Sequence, residues 1–162
     1  MKISVKEAII SGEWVEYSLP KLWIMESCCV FRLRPIKFEK ILVSEKDNIS
    51  NLLSNRYQMD EGVLWLLKIE VVNLSRTSFC GSGIGFSIAL HDQDDFVFYT
   101  ACEKNLEPYS VFSRASGFSR FYRCRTNLQP KIKAVGAVAF LLPDDDQAEY
   151  FLSVKKGSIQ AV

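Results

Sequence analysis

The stretch from Val63 to Asn73 constrains the fold of this chain more than any other. It opens as an unbroken apolar run, Val63-Leu64-Trp65-Leu66-Leu67, and then alternates, with Ile69 and Val71 set between Lys68 and Glu70. An unbroken run reads as a strand covered on both faces, and period-two alternation as a strand covered on one. The segment is therefore expected to be a central strand, packed on both sides at its start and half exposed later. Lys68 and Glu70 are expected to face out. Such a strand needs neighbours.

The rest of the chain supplies them. Glu13 to Tyr17 alternates, Leu22 to Met25 is a short apolar piece, and Cys28 to Leu33 reads as a strand ended by Pro35. Ile36 to Val43 reads as another, with Ile36, Phe38, Lys40 and Leu42 on one side. Ile84 to Leu90 and Phe96 to Thr100 form a hairpin around the polar turn His91 to Asp95. Ile132 to Leu142 is a long strand whose small residues (Ala134, Gly136, Ala137, Ala139) allow a close neighbour. Pro143 to Asp146 turns the chain, and Tyr150 to Val154 returns with Tyr150, Leu152 and Val154 on one face. Between these, Ser44 to Glu61 carries caps and apolar spacing for a two-turn helix. Asn73 to Gly85 reads as a loop, and Ala101 to Gln129 shows no period at all.

About eight or nine short strands at this spacing specify an all-β chain. The expected architecture is a single immunoglobulin-like β-sandwich over residues 1–162, with one short helix and a long basic loop. The frequency of Phe, 11 residues, leans the same way. A chain of this length buries roughly 70% of its unfolded surface, so no metal or disulfide staple is required. The five cysteines are odd in number and none is spaced Cys-x-x-Cys, so they read as buried free thiols in a reducing compartment. No window approaches the ~18 apolar residues of a membrane span. If Met1 is the native start, the expected location is the cytoplasm; a removed leader would place the protein at the cell envelope.

From Trp65 to the C-terminus the chain resembles the telokin-like, immunoglobulin-fold domain of unknown function found in many bacterial lipoproteins. The residues that carry the resemblance are Val71-Val72-Asn73, the acidic hairpin from Phe86 to Phe98, and Leu128-Gln129-Pro130. Gly136, Phe140, Pro143 and Tyr150-Phe151-Leu152-Ser153-Val154 complete it. The resemblance implies a binding or structural module with no catalytic residues. Lys131 departs from the glycine the family commonly has after Pro, the 101–127 insertion is unusually basic, and no lipoprotein leader is seen.

Motifs with chemical potential give little. His91 reads as a solvated turn histidine, since no nucleophile turn accompanies it. Asp92 to Asp95 lacks the glycine and distal glutamate of a calcium loop. Gly81 to Gly85 precedes a strand, where a dinucleotide cradle precedes a helix. No cofactor and no metal are expected. Charge is more informative. The chain sums to +1, yet the stretch from Pro108 to Leu142 holds six cations and no carboxylate. Its basic-aromatic part contains Arg114, Phe118, Arg120, Phe121, Tyr122, Arg123 and Arg125, which either grip a partner or tether a solvated loop. The leading reading is a non-enzymatic protein–protein interaction module, a bacterial or mobile-element protein that docks on or inhibits a larger assembly. A nucleic-acid binder using Arg114 to Arg125, a small-ligand-binding domain and a homodimer through open strand edges stand as alternatives.

Overall fold

The computed structural model describes residues 3–19, 29–41, 61–80, 88–101 and 127–154. The described part is all-β apart from one short helix, α1 (Val5–Ser11). Its nine strands are β1 (Val15–Leu19), β2 (Cys29–Lys40), β3 (Val63–Asn73), β4 (Phe79–Cys80), β5 (Ile88–His91), β6 (Val97–Tyr99), β7 (Asn127–Leu128), β8 (Lys133–Leu142) and β9 (Phe151–Val154). All strand pairings are antiparallel. A four-stranded sheet runs β1-β2-β3-β8, a three-stranded sheet runs β6-β5-β9, and β4 pairs with β7. The chain leaving β6 pairs onward with β8, through a Thr100–Phe140 bridge and an Ala101 N–H donated to the Ala139 carbonyl at 2.8 Å. The two larger sheets are thus joined at one corner.

One apolar cluster draws on both. Phe31 and Leu33 enter it from β2, Leu67, Ile69 and Val71 from β3, Val138 and Phe140 from β8, and Ile88 and Leu90 from β5. Each such aliphatic side chain contributes about 1.5–3 kcal/mol by leaving water. Aromatic rings carry the contact across: Trp65 stacks on Phe38 at 4.6 Å, Phe38 meets the edge of Tyr150 at 6.2 Å, and Tyr150 meets Phe98 at 5.8 Å.

The central strand β3 has the expected bounds and the expected place, between β2 and β8. Its burial differs from the expectation. The second half is the more covered, and Glu70 is buried although it lies on the face away from the apolar cluster. Proline corrects a second expectation. Pro35 does not end a strand: β2 continues through it, pairing Pro35 with Ile69 and Lys37 with Lys68, so that one extra residue forms a bulge. Pairing with β1 stops at Leu33, so the proline sits where β2 has β3 alone beside it. The bulge shifts the inward phase from Phe31, Leu33 and Pro35 to Phe38.

α1 is an element that strand alternation does not reveal. Ser4 and Glu7 form a capping box, the Ser4 hydroxyl accepting from Glu7 N–H at 3.3 Å and the Glu7 carboxylate accepting from Ser4 N–H at 3.2 Å. Gly12 closes the helix in the left-handed conformation at φ 67°. The helix expected over 44–61, apart from Glu61 at its end, and the piece at 22–25 lie outside the described residues. So do Cys28 and most of the 101–129 stretch, whose end is corrected: Asn127–Leu128 is strand, as is Phe79–Cys80 inside the expected 73–85 loop.

Asn73 ties these pieces together. Fully buried, its amide donates to the Thr77 carbonyl at 2.9 Å and the Leu128 carbonyl at 2.8 Å, and its side-chain oxygen accepts from Ser75 N–H at 2.8 Å. Its own carbonyl accepts from Lys131 N–H at 2.8 Å. That contact holds Lys131 at φ 64°, a left-handed backbone that β-carbons disfavour. Lys131→Gly is therefore expected to raise stability by about 0.5–1 kcal/mol, read as a higher urea midpoint at unchanged slope.

Candidate functional site

The seven residues singled out by composition, Arg114, Phe118, Arg120, Phe121, Tyr122, Arg123 and Arg125, all lie outside the described residues. Lys131 and Lys133, the end of the same basic stretch, are described. Lys133 opens β8, and its place identifies a surface that the sequence does not announce.

That surface is the face of the four-stranded sheet turned away from the apolar cluster. Register sets it out in rows. Glu16, Arg32, Val72 and Lys133 lie side by side across β1, β2, β3 and β8; the next row holds Arg34, Glu70 and Val135. Trp14, one residue before β1, brings its ring to both arginines, each guanidinium carbon 4.8 Å from the ring centroid. Cation–ring contacts of this kind hold planar guanidinium groups in place while leaving N–H edges for other acceptors.

Glu70 organises the second row. Arg34 donates to its carboxylate through Nε at 2.9 Å and through Nη2, and Lys133 donates to the other oxygen at 2.9 Å. The Glu70 side chain keeps only 10% of its exposure, against 30% for Arg34 and 53% for Lys133. Burial pushes its pKa up, but the hydrogen bonds and charges of Lys133 and Arg34 outweigh this and hold it below the ordinary glutamate value. Arg32 is different. It is exposed, stands beside Glu16 in register, and yet has no carboxylate partner among the described residues. Among the described residues of this face five cations (Arg32, Arg34, Lys37, Lys68, Lys133) meet three carboxylates (Glu16, Glu39, Glu70). The charges crowd one half; the other half, around Leu64, Leu66, Ala137 and Ala139, is buried.

The opposite charge collects elsewhere. Lys40, eight residues along β2 from Arg32 and so about 26 Å away by strand rise, binds Asp146 at 2.6 Å and reaches Asp144 at 3.5 Å. The hydrogen bond to Asp146 is the chief reason the Lys40 ammonium titrates above the usual lysine range. The hairpin turn lies at the same end: Gln93 accepts from Glu149 N–H at 3.1 Å. Burial first, and then the charges of Asp92 and Asp145, push the Tyr150 phenol up. Asp92 is occupied by its own turn, accepting from Asp94 N–H at 3.0 Å and Phe96 N–H at 2.9 Å. Among the described residues no group of three or more His, Cys, Asp or Glu side chains is placed to hold a metal ion.

His91 corrects its expectation. It is the last residue of β5, half-buried, with Nε2 2.8 Å from the Ser153 hydroxyl on β9. The same hydroxyl lies 3.4 Å from the Ala89 carbonyl. The His91 ring nitrogen and the Ser153 hydroxyl share one hydrogen bond between β5 and β9, whose direction follows the ring tautomer. The pair is a cross-strand clasp.

Among the described residues no helix is long and apolar enough to cross a membrane. Comparison of the chain with protein-family models, curated proteins and solved structures returns no match.

Proposed function

We propose that this chain is a non-enzymatic interaction module, an immunoglobulin-like sandwich that docks on a larger protein assembly through the charged half of its outer sheet face. The observation that carries this reading is the Trp14 ring in contact with both Arg32 and Arg34, with Arg32 bonded to no carboxylate among the described residues. A cluster that served stability alone would give each guanidinium a carboxylate, as Glu70 does for Arg34. Tryptophan and arginine are also the side chains that most often dominate protein interfaces. The resemblance to telokin-like domains supports the same reading, and two of its motif pieces adjoin, Asn73 bonding to Leu128 and bridging Pro130. Capture from native cells with the wild-type chain is expected to return a stoichiometric protein partner that Arg32→Glu fails to return.

The nucleic-acid reading rests on Arg114 to Arg125, outside the described residues; on the described face it would rest on Arg32, Arg34 and Lys133. The single described ring among them is already stacked on two guanidinium groups, which leaves it poorly placed to stack on a base.

A further inference from the structure

We infer that the outer edge of β1 takes up an extended acidic segment of the partner protein as an added strand, whose carboxylates are received by Arg32 and Arg34. The inference rests on the interaction-module reading and names the site and the chemistry of the partner.

In an antiparallel sheet each strand sends half of its N–H and C=O groups to either side. Among the described residues β1 pairs with β2 alone, and no other described strand meets the groups on its outer side. Proteins usually blunt such edges with lysine, proline or a bulge. β1, Val15-Glu16-Tyr17-Ser18-Leu19, has neither of those residues, and its register with β2 is uninterrupted.

The chemistry of the face chooses the occupant. An added strand lies one spacing from β1 and two, about 10 Å, from β2. Arginine and glutamate side chains together close that gap, so carboxylates on the outer face of the added strand come within reach of Arg32 and Arg34. Their guanidinium groups are already fixed on Trp14, so little side-chain freedom is lost on contact. Glu16 sets the spacing. A carboxylate directly beside it is repelled, so acids belong two residues to either side, across from Ser18 and Trp14. A second copy of this chain supplies less: β1 paired with itself about Tyr17 sets one carboxylate, Glu16, across from Ser18 and none across from Trp14, where an acidic segment supplies both.

The test uses the full chain and a fluorescein-labelled peptide of the pattern Val-Glu-Val-Thr-Val-Glu-Val, whose threonine stands beside Glu16 and whose acids lie two residues to either side, followed by anisotropy, with backbone amide exchange across β1 read on the same complex. Saturable binding is expected, with slowed exchange at β1. Affinity is expected to fall at least about tenfold for the same peptide with lysine in place of both glutamates, or for Arg32→Glu. Binding without protection of β1 overturns strand addition, as does equal binding by Arg32→Glu or no binding at all. Tighter competing binding of single-stranded DNA, or self-association through β1 that the peptide does not disturb, overturns it too. An Arg32-dependent partner captured from cells while the peptide fails to bind sinks strand addition alone; loss of both sinks the module reading with it.

Discussion

Asn73→Asp is expected to destabilise the fold by about 4 kcal/mol or more, and Asn73→Ala by about 3 kcal/mol. The native amide donates to two carbonyls and accepts from one N–H, all away from water. Alanine removes the three bonds and leaves the carbonyls of Thr77 and Leu128 with a lost donor. The aspartate change is worse, because it aims a carboxylate at those same oxygens. It also carries a signature. A carboxyl facing carbonyls has its pKa raised by folding, so the folded form holds more protons than the unfolded one and stability rises as pH falls. Melting temperatures measured from neutral to mildly acidic pH are therefore expected to recover partway for Asn73→Asp and not for Asn73→Ala. Equal and flat behaviour of both variants would contradict the assignment of the amide as donor to Thr77 and Leu128.

The second large effect is expected at Glu70. Glu70→Ala leaves Arg34 and Lys133 facing each other without their counter-charge, at a cost of about 2–3 kcal/mol. Glu70→Gln keeps the shape and retains part of the bonding, so it should fall between. Folding lowers the Glu70 pKa. Its contribution is therefore complete above the unfolded value, near 4.3, and is lost as pH falls through the lower folded value. Urea midpoints across acidic pH are expected to drop more steeply for the wild type than for Glu70→Gln below that value. Parallel curves would mean that the carboxylate is not engaged in the fold.

These two residues also mark what sequence reading reaches. Alternation places Glu70 on the correct face of β3, but exposure does not follow from facing outward. Arg34 and Lys133 come from strands β2 and β8, 36 and 63 residues away in the chain, and they lie over it only because of register. No local pattern encodes that. Pro35 fails as a stop signal for a similar reason: a proline is tolerated where a neighbouring strand has already ended, and the sequence does not say where β1 ends. The N-terminal helix was within reach, since Ser4-Val5-Lys6-Glu7 followed by Gly12 is a legible start and stop. The hairpin of β5 and β6, the span of β3 and the return strand β9 follow from period-two alternation and turn residues, which are local. The charged half of the outer sheet face was legible only at one end, through the charge of Lys133. Trp14, Arg32 and Arg34 carry no motif and acquire meaning from one strand pairing.

The charged half of the outer sheet face is where this account stands or falls, and affinity capture from native cells measures it most directly. Wild type and Arg32→Glu are used side by side at matched concentration, with circular dichroism and thermal melting showing both to be folded. Arg32 is exposed, but Arg32→Glu sets a carboxylate beside Glu16 and gives up the contact with the Trp14 ring, so the melting temperature is expected to fall by a few degrees with the fold retained. The expected result is one partner at stoichiometric yield with the wild type and its loss with Arg32→Glu. Equal recovery by the two chains, or nothing above background with either, would contradict it.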